Sequence, residues 1–289
     1  MDTAAFHQQR RFRELPCGRI AYIEQGSGPA TLFLHGLPLC GYHWREVIED
    51  LAPARRCIAP DAMGLGYTEV APGQDVSFAA QARMIAAFLD AAAIDRVDVV
   101  GNDTGAGISQ VFAATYPAKV RTLTLTNCEV HDLWPNALLA GFYQGVASGD
   151  VPRAMGQMLD DIVLARRQLG ALVYEDAEAF TPEVVRLYLA PIVATDDRVR
   201  QFQHLCDWRK NRAQLMEVAP QLKTSQIPAQ VIWGEADPVF DVEPSLDWLR
   251  ANLGGLKKVT RVPRAKLFFP EEHPRLMSVL LTEFWDTLG

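Results

Sequence analysis

Five consecutive residues constrain this chain more than any other stretch: Gly101-Asn102-Asp103-Thr104-Gly105. They follow the β-prone run Val97-Asp98-Val99-Val100 and open a run of small helix formers from Ala106 to Ala114. A strand that turns sharply into a helix lifts its central side chain above the sheet, and the flanking glycines avoid the clash a Cβ would cause. Here the raised group is the carboxyl of Asp103. A turn of Gly, Asn and Asp is common by itself, so the surrounding punctuation decides what it means.

That punctuation repeats along the chain. Phe12 to Leu15 and Ile20 to Glu24 read as paired strands around Cys17-Gly18. Ala30 to Leu34, Cys57 to Pro60, Thr122 to Thr126, Ala229 to Trp233 and Val259 to Val262 are further short runs closed by Gly, Pro or Asp. Brief apolar runs of this kind belong to a sheet covered on both faces. Between them, Phe78, Ile85, Phe88 and Leu89 mark one helix face, and Met277, Leu280, Leu281, Phe284 and Leu288 mark a last helix with Pro270 near its first turn. Strand-helix alternation predicts an α/β fold with a mostly parallel central sheet and helices on both faces. With 289 residues, 49% of them apolar, the chain can bury a large core.

The alternation breaks once. From His131 to Leu222 the patterns are helical, with Thr181-Pro182-Glu183 as a capped helix start. This predicts a helical lid over 131–222 inserted into a core formed by 1–130 and 223–289. Trp134, Tyr143, Tyr174, Tyr188 and Trp208 fall in it, ordinarily as packing; Trp134, Tyr143 and Tyr188 are the candidates for substrate contact.

Three further strand ends bear on chemistry. Leu34-His35-Gly36-Leu37-Pro38 closes the third strand, and the backbone N–H groups of Leu37 and Thr104 can converge on one point to form an oxyanion hole. His35 in this turn is either a substrate contact or a structural hydrogen-bonding group. Asp61-Ala62-Met63-Gly64 ends the next strand. Trp233-Gly234-Glu235-Ala236-Asp237-Pro238 presents the Asp237 carboxylate at the end of a later one.

Taken in order from Phe12 to the C-terminus, these segments resemble the α/β-hydrolase superfamily. The Asp at the elbow, the His-Gly-x-Pro turn and the position of the lid resemble its haloalkane dehalogenase and epoxide hydrolase branch. The resemblance implies a cofactor-free hydrolase in which Asp103 attacks a saturated carbon bearing a halide or strained oxygen. A carboxylate is ionised at neutral pH without help and can do so directly. Water then attacks the resulting ester, a step that needs a base. The resemblance makes Asp237 the acid that orients this base, with Glu129, just after the strand that follows the elbow helix, as the alternative.

The base is where the sequence departs. The family pattern G-H-F-x-x-E-x-x-P aligns on Glu271 and Pro274, which puts Leu267 where the His belongs. His273 is the nearest imidazole and the candidate base, with a solvated helix-end role as its ordinary alternative. His43, His131 and His204 enter only if the lid folds over the site, and His7 sits in a tail expected to fray. Thr104 replaces the Trp often found after the nucleophile. Arg166 and Arg167 could meet a substrate carboxylate or simply face solvent. No His pair has metal-ligand spacing, so no metal is expected.

The missing base keeps two other functions open: a lyase, isomerase or cyclase that uses Asp103 for proton transfer, and a binding module with a degenerate site. A net charge of -7 with no basic block argues against nucleic acid. The absence of a long apolar run argues against a membrane span. Five scattered cysteines and no signal-like start lead to an expected cytoplasmic protein with reduced thiols. The expected partner is a small-molecule substrate, and a homodimer is left open.

Overall fold

Short apolar runs with no polar alternation need cover on both sides, and each such run in the sequence becomes a strand. The computed structural model describes residues 1–289. Its strands are β1 (Arg11–Leu15), β2 (Gly18–Gln25), β3 (Ala30–Leu34), β4 (Arg56–Pro60), β5 (Val97–Asn102), β6 (Val120–Thr126), β7 (Ala229–Gly234) and β8 (Leu256–Val262). They form one sheet in the order β1-β2-β4-β3-β5-β6-β7-β8. Both pairings of β2 are antiparallel and all the others are parallel. Every residue of β3, β5 and β7 is buried.

Helices cover both sides of the sheet. The helices Phe78–Ala91, Thr104–Thr115 and Trp208–Thr224 pack against one another, and Arg45–Leu51 packs against Pro274–Asp286. After β3 the chain goes to β4 on one side and later to β5 on the other. In a parallel sheet such a reversal opens a crevice beyond the carboxyl ends of the two strands. The turn His35-Gly36-Leu37 and Asp103 stand at those ends.

Between β6 and β7 the chain contains helices and no strand. Thr181 caps Pro182–Val193 through its side chain, as the sequence predicts. Trp208–Thr224, the last helix of this segment, lies beside the elbow helix rather than over the strand ends.

Two local expectations are corrected. The N-terminal tail is not frayed: Thr3–Gln9 is helical, Asp2 caps it, Phe6 is buried against Tyr42, and the terminal amine pairs with Glu49. Pro270 does not open the last helix. It lies in a separate turn, Phe269–Glu272, and the long helix starts at Pro274. The residue before a proline is pushed out of the helical region, and His273 at φ -123° and ψ 52° shows that break.

Candidate active site

Asp103 is held as the turn sequence requires. Its φ of 54° is a conformation few L-residues adopt, which marks a strained position of the kind found at functional sites. The turn is tight because backbones meet there: a Cβ on Gly105 would lie 2.2 Å from the Leu34 carbonyl oxygen at the end of β3. A Cβ on Gly36 would lie 2.2 Å from Asp103 Oδ2, so glycine makes room for the carboxyl itself. The Leu37 N–H donates to Asp103 Oδ2 at 2.8 Å. The Thr104 N–H also faces this carboxyl and, like Leu37, favours its charged form.

Opposing forces act on the Asp103 proton. Burial raises its pKa well above the usual carboxylate range, the neighbouring Glu129 and then Asp237 raise it further, and the two N–H groups hold it back. Glu129 is buried behind Thr104, whose hydroxyl donates to Oε1 at 2.8 Å, and burial lifts its pKa to about 7. Its Oε2 has no partner. Asp237 is also buried, and its pKa is raised to about 6 by burial. It accepts from the Asn127 side-chain amide at 2.7 Å and from the Val239 N–H at 2.8 Å.

These shifts fix how stability depends on pH. A carboxyl whose pKa is raised on folding binds its proton more tightly in the folded than in the unfolded chain. Its contribution is complete below the unfolded value and is lost as pH rises through the folded one. For Asp237 and Glu129 that loss runs from the ordinary range up to about 6 and about 7. The buried His35 and His43, whose pKa values burial lowers, act in the opposite direction between about pH 5 and 7, so the carboxyl contribution is read against a variant. Measured by urea denaturation, the unfolding free energy of the unaltered protein relative to Glu129→Gln should fall between about pH 5 and about pH 8 by on the order of 3 kcal/mol, about two pKa units at about 1.4 kcal/mol each. A difference between the two proteins that does not change with pH would contradict the assignment.

Asp103 opens into a cavity of about 530 Å³. Its walls are mostly apolar, among them Leu37, Phe142, Leu172, Val239 and Leu267; besides Asp103, polar side chains come from Tyr143 and Gln168. Gln168 and Leu169 reach the cavity from a π-helical turn, Arg166–Gly170, a wide turn often found at functional sites. A second cavity of about 650 Å³, lined by His204 and Trp208, shares Tyr143 as a wall.

The structure brings Leu37, Asp103, Thr104, Glu129 and Tyr143 together at or beside the first cavity, with Asp237 close behind. It takes other candidates away. His273 is 39% exposed, and its Nε2 lies 2.6 Å from Glu175 Oε1, so it is a helix-end group held by Glu175 and not placed as the base. His35 has both ring nitrogens committed: Nε2 accepts from the Ala62 N–H at 3.0 Å and Nδ1 donates to the Gly36 carbonyl at 3.0 Å. It braces the turn and offers nothing to a substrate. Tyr188 donates to Glu271 at 3.1 Å, away from the cavity, and Trp134 stacks on Phe78 in the core. His43 sits at 3.4 Å from the same Glu271, and His131 pairs with Asp132 at 2.7 Å. No imidazole lines the Asp103 cavity.

Sequence reasoning missed Asn127, Gln168 and the Glu271 cluster. Asn127 directly follows β6, and its amide also braces Gly234 on both sides, accepting from its N–H at 2.7 Å and donating to its carbonyl at 3.0 Å. Its place beyond a strand end was the available signal.

Comparison with known proteins agrees with this architecture. A family model described as the alpha/beta hydrolase fold matches residues 29–258. Haloalkane dehalogenase 2 of Mycobacterium bovis is 27% identical over 289 residues, covering 98% of this chain and 97% of that protein. The epoxide hydrolase CorEH, solved without ligand, superposes with a TM-score of 0.79 at 23% identity, covering 97% of this chain and 99% of its own. The haloalkane dehalogenase DbeA of Bradyrhizobium elkani gives 0.77 at 22% identity, covering 96% and 99%.

Proposed function

The chain belongs to the α/β-hydrolase family, and from that premise we propose that Asp103 is its nucleophile, acting on a small, mostly apolar molecule with a leaving group on saturated carbon. The observation that carries this is the Asp103 carboxyl itself, raised at a strained turn, held through Oδ2 by Leu37 and facing an apolar cavity. With Oδ2 fixed, Oδ1 is the attacking atom. It forms a bond to the substrate carbon as the carbon–leaving group bond breaks, and the leaving group departs with the electron pair. Tyr143, kept neutral because burial raises its pKa, and the Gln168 amide are the side-chain donors that can meet it.

The product of this step is an ester of Asp103. Attack of water on its carbonyl carbon would place the negative charge on Oδ2, where the Leu37 and Thr104 N–H groups form the oxyanion hole. Collapse breaks the bond between the carbonyl carbon and Oδ1; one proton of the water goes to the departing alcohol and the other to solvent, which leaves the carboxylate. In this scheme the helices ahead of Trp208 act as the lid that shapes the cavity, while Trp208–Thr224 packs with the core, and no cofactor takes part.

Only the ionised Asp103 attacks, and its pKa is raised. The rate of leaving-group release should therefore keep climbing with pH well past the ordinary carboxylate range of about 4. A profile already flat there would contradict an essential buried carboxylate.

A second reading follows from the same shift: a protonated Asp103 could move protons in an isomerase or lyase reaction without a covalent bond. Rapid-quench assays with short primary bromoalkanes and terminal epoxides separate the two. An initial release of about one bromide per protein, with the alkyl group on the Asp103 peptide, supports displacement. Product without bromide release or label on Asp103 favours proton transfer.

A further inference from the structure

We infer that Leu267 makes the Asp103 ester the resting state of this protein, so that it captures an alkyl group faster than it releases it. This rests on Asp103 acting by displacement and concerns the fate of the ester it forms.

Breakdown of the ester needs a group within reach of its carbonyl that can take a proton from water. The cavity offers none. Leu267 is 3% exposed and its side chain lines the wall. It is also fixed there. Its carbonyl accepts from the Asn102 side chain at 3.0 Å, the Phe268 N–H next to it donates to the Val173 carbonyl at 3.0 Å, and the Ala265 carbonyl accepts from the Ala236 N–H at 3.0 Å. The loop therefore has little freedom to withdraw the side chain and admit a base from elsewhere.

The two buried acids do not substitute. Both oxygens of Asp237 are engaged, by Asn127 and by the Val239 N–H, and the residue does not line the cavity. Glu129 is screened by Thr104, and its unpartnered Oε2 faces the elbow helix, where a Cβ on Gly107 would lie 3.1 Å away. Tyr143 and Gln168 donate hydrogen bonds but are poor proton acceptors. The first step needs no proton acceptor for its nucleophile: once Asp103 is ionised, a state that rising pH favours, its carboxylate attacks carbon directly.

The balance is simple. For a bromoalkane, the Asp103 oxygen–carbon bond forms, the carbon–bromine bond breaks, and bromide carries off the negative charge of the carboxylate. No oxidant or second substrate is needed, and the reaction stops at a neutral ester buried under apolar walls.

The test is to treat the full chain with 1-bromohexane, remove excess reagent and follow intact mass, with peptide mapping of the modified site. One hexyl group on Asp103 that persists for hours, with bromide release ending near one equivalent, is the expected result. Leu267→His should restore continuing bromide release and shorten the adduct lifetime by about 10²- to 10⁴-fold, the usual contribution of a general base. Alkaline hydroxylamine, applied to the denatured adduct of the unaltered protein, should release hexanol and leave a hydroxamate on Asp103, as an alkyl oxygen ester requires. This arm does not depend on the folding of the variant.

Continuing release from the unaltered protein, dependent on Asp103 and without an accumulated adduct, would overturn slow release while leaving the displacement reading intact. An adduct equally long-lived in a folded Leu267→His protein would overturn the role given to Leu267. Neither bromide nor adduct from any bromoalkane or epoxide would remove the displacement reading and this inference with it.

Discussion

Asp103→Asn is expected to lower leaving-group release by at least about 10³-fold and at the same time to make the protein more stable, by about 1 kcal/mol. The first effect follows from chemistry: an amide oxygen is a poor nucleophile, and the amide cannot become a simple ester by displacement. The second follows from the environment. The carboxyl is buried beside two other acids, and its charge is opposed by burial and by Glu129. A neutral amide of the same shape removes that opposition and can still accept from the Leu37 N–H. Stopped-flow release measurements and urea denaturation on the same sample check both signs. Loss of reactivity together with loss of stability would mean that the carboxylate has a structural role, contrary to its assignment as a nucleophile held against the preference of the fold.

Glu271→Ala should act in the opposite way, by destabilising the molecule by about 3–5 kcal/mol, the usual cost of leaving a buried charge without its partner. The Glu271 side chain is covered and bonded from four directions: Arg45 at 2.5 Å, His43 at 3.4 Å, Tyr174 at 2.9 Å and Tyr188 at 3.1 Å. Arg45 and His43 come from the segment after β3, and the tyrosines come from the helical segment between β6 and β7. The cluster thus joins that segment to the core. Burial opposes the Glu271 charge, but Arg45 and the His43 hydrogen bond outweigh it and bring its pKa down to about 2. Its stabilisation is present above the unfolded value and disappears as pH falls toward about 2. Denaturant melts of Glu271→Ala and Glu271→Gln at neutral pH test this. The glutamine variant keeps acceptors for the tyrosines but not the charge facing Arg45, so it should fall between the two. A wild-type midpoint for Glu271→Ala would show that the cluster does not hold the segment down.

The sheet was legible because its signals are local. Ala30 to Leu34 is a strand as written, and the others differ from the reading by a few terminal residues. The same locality exposed Asp103, since a turn bounded by a β-prone run and small helix formers needs no distant partner to be recognised. The assignments that failed depend on partners far away in the chain. His273 is taken by Glu175, 98 positions before it, and Tyr188 by Glu271, 83 positions after it. Periodicity and turn chemistry carry no information about such pairings. For His35 the structural alternative holds and substrate contact does not: the turn around it was legible, but the backbone N–H that occupies its second nitrogen comes from Ala62, just after β4. Leu267 was legible as a departure, and the structure adds that it stands in the cavity wall with no replacement beside it.

The π-helical turn at Arg166–Gly170 has one more consequence. Because it spans an extra position relative to an ordinary helical turn, it amounts to a single-residue insertion tolerated within a helix. Excising one residue there would rotate Gln168, Leu169 and Leu172 relative to Asp103 while leaving every strand in register. A one-residue deletion at this spot is therefore the change expected to alter which molecules the cavity admits while leaving Asp103 in place.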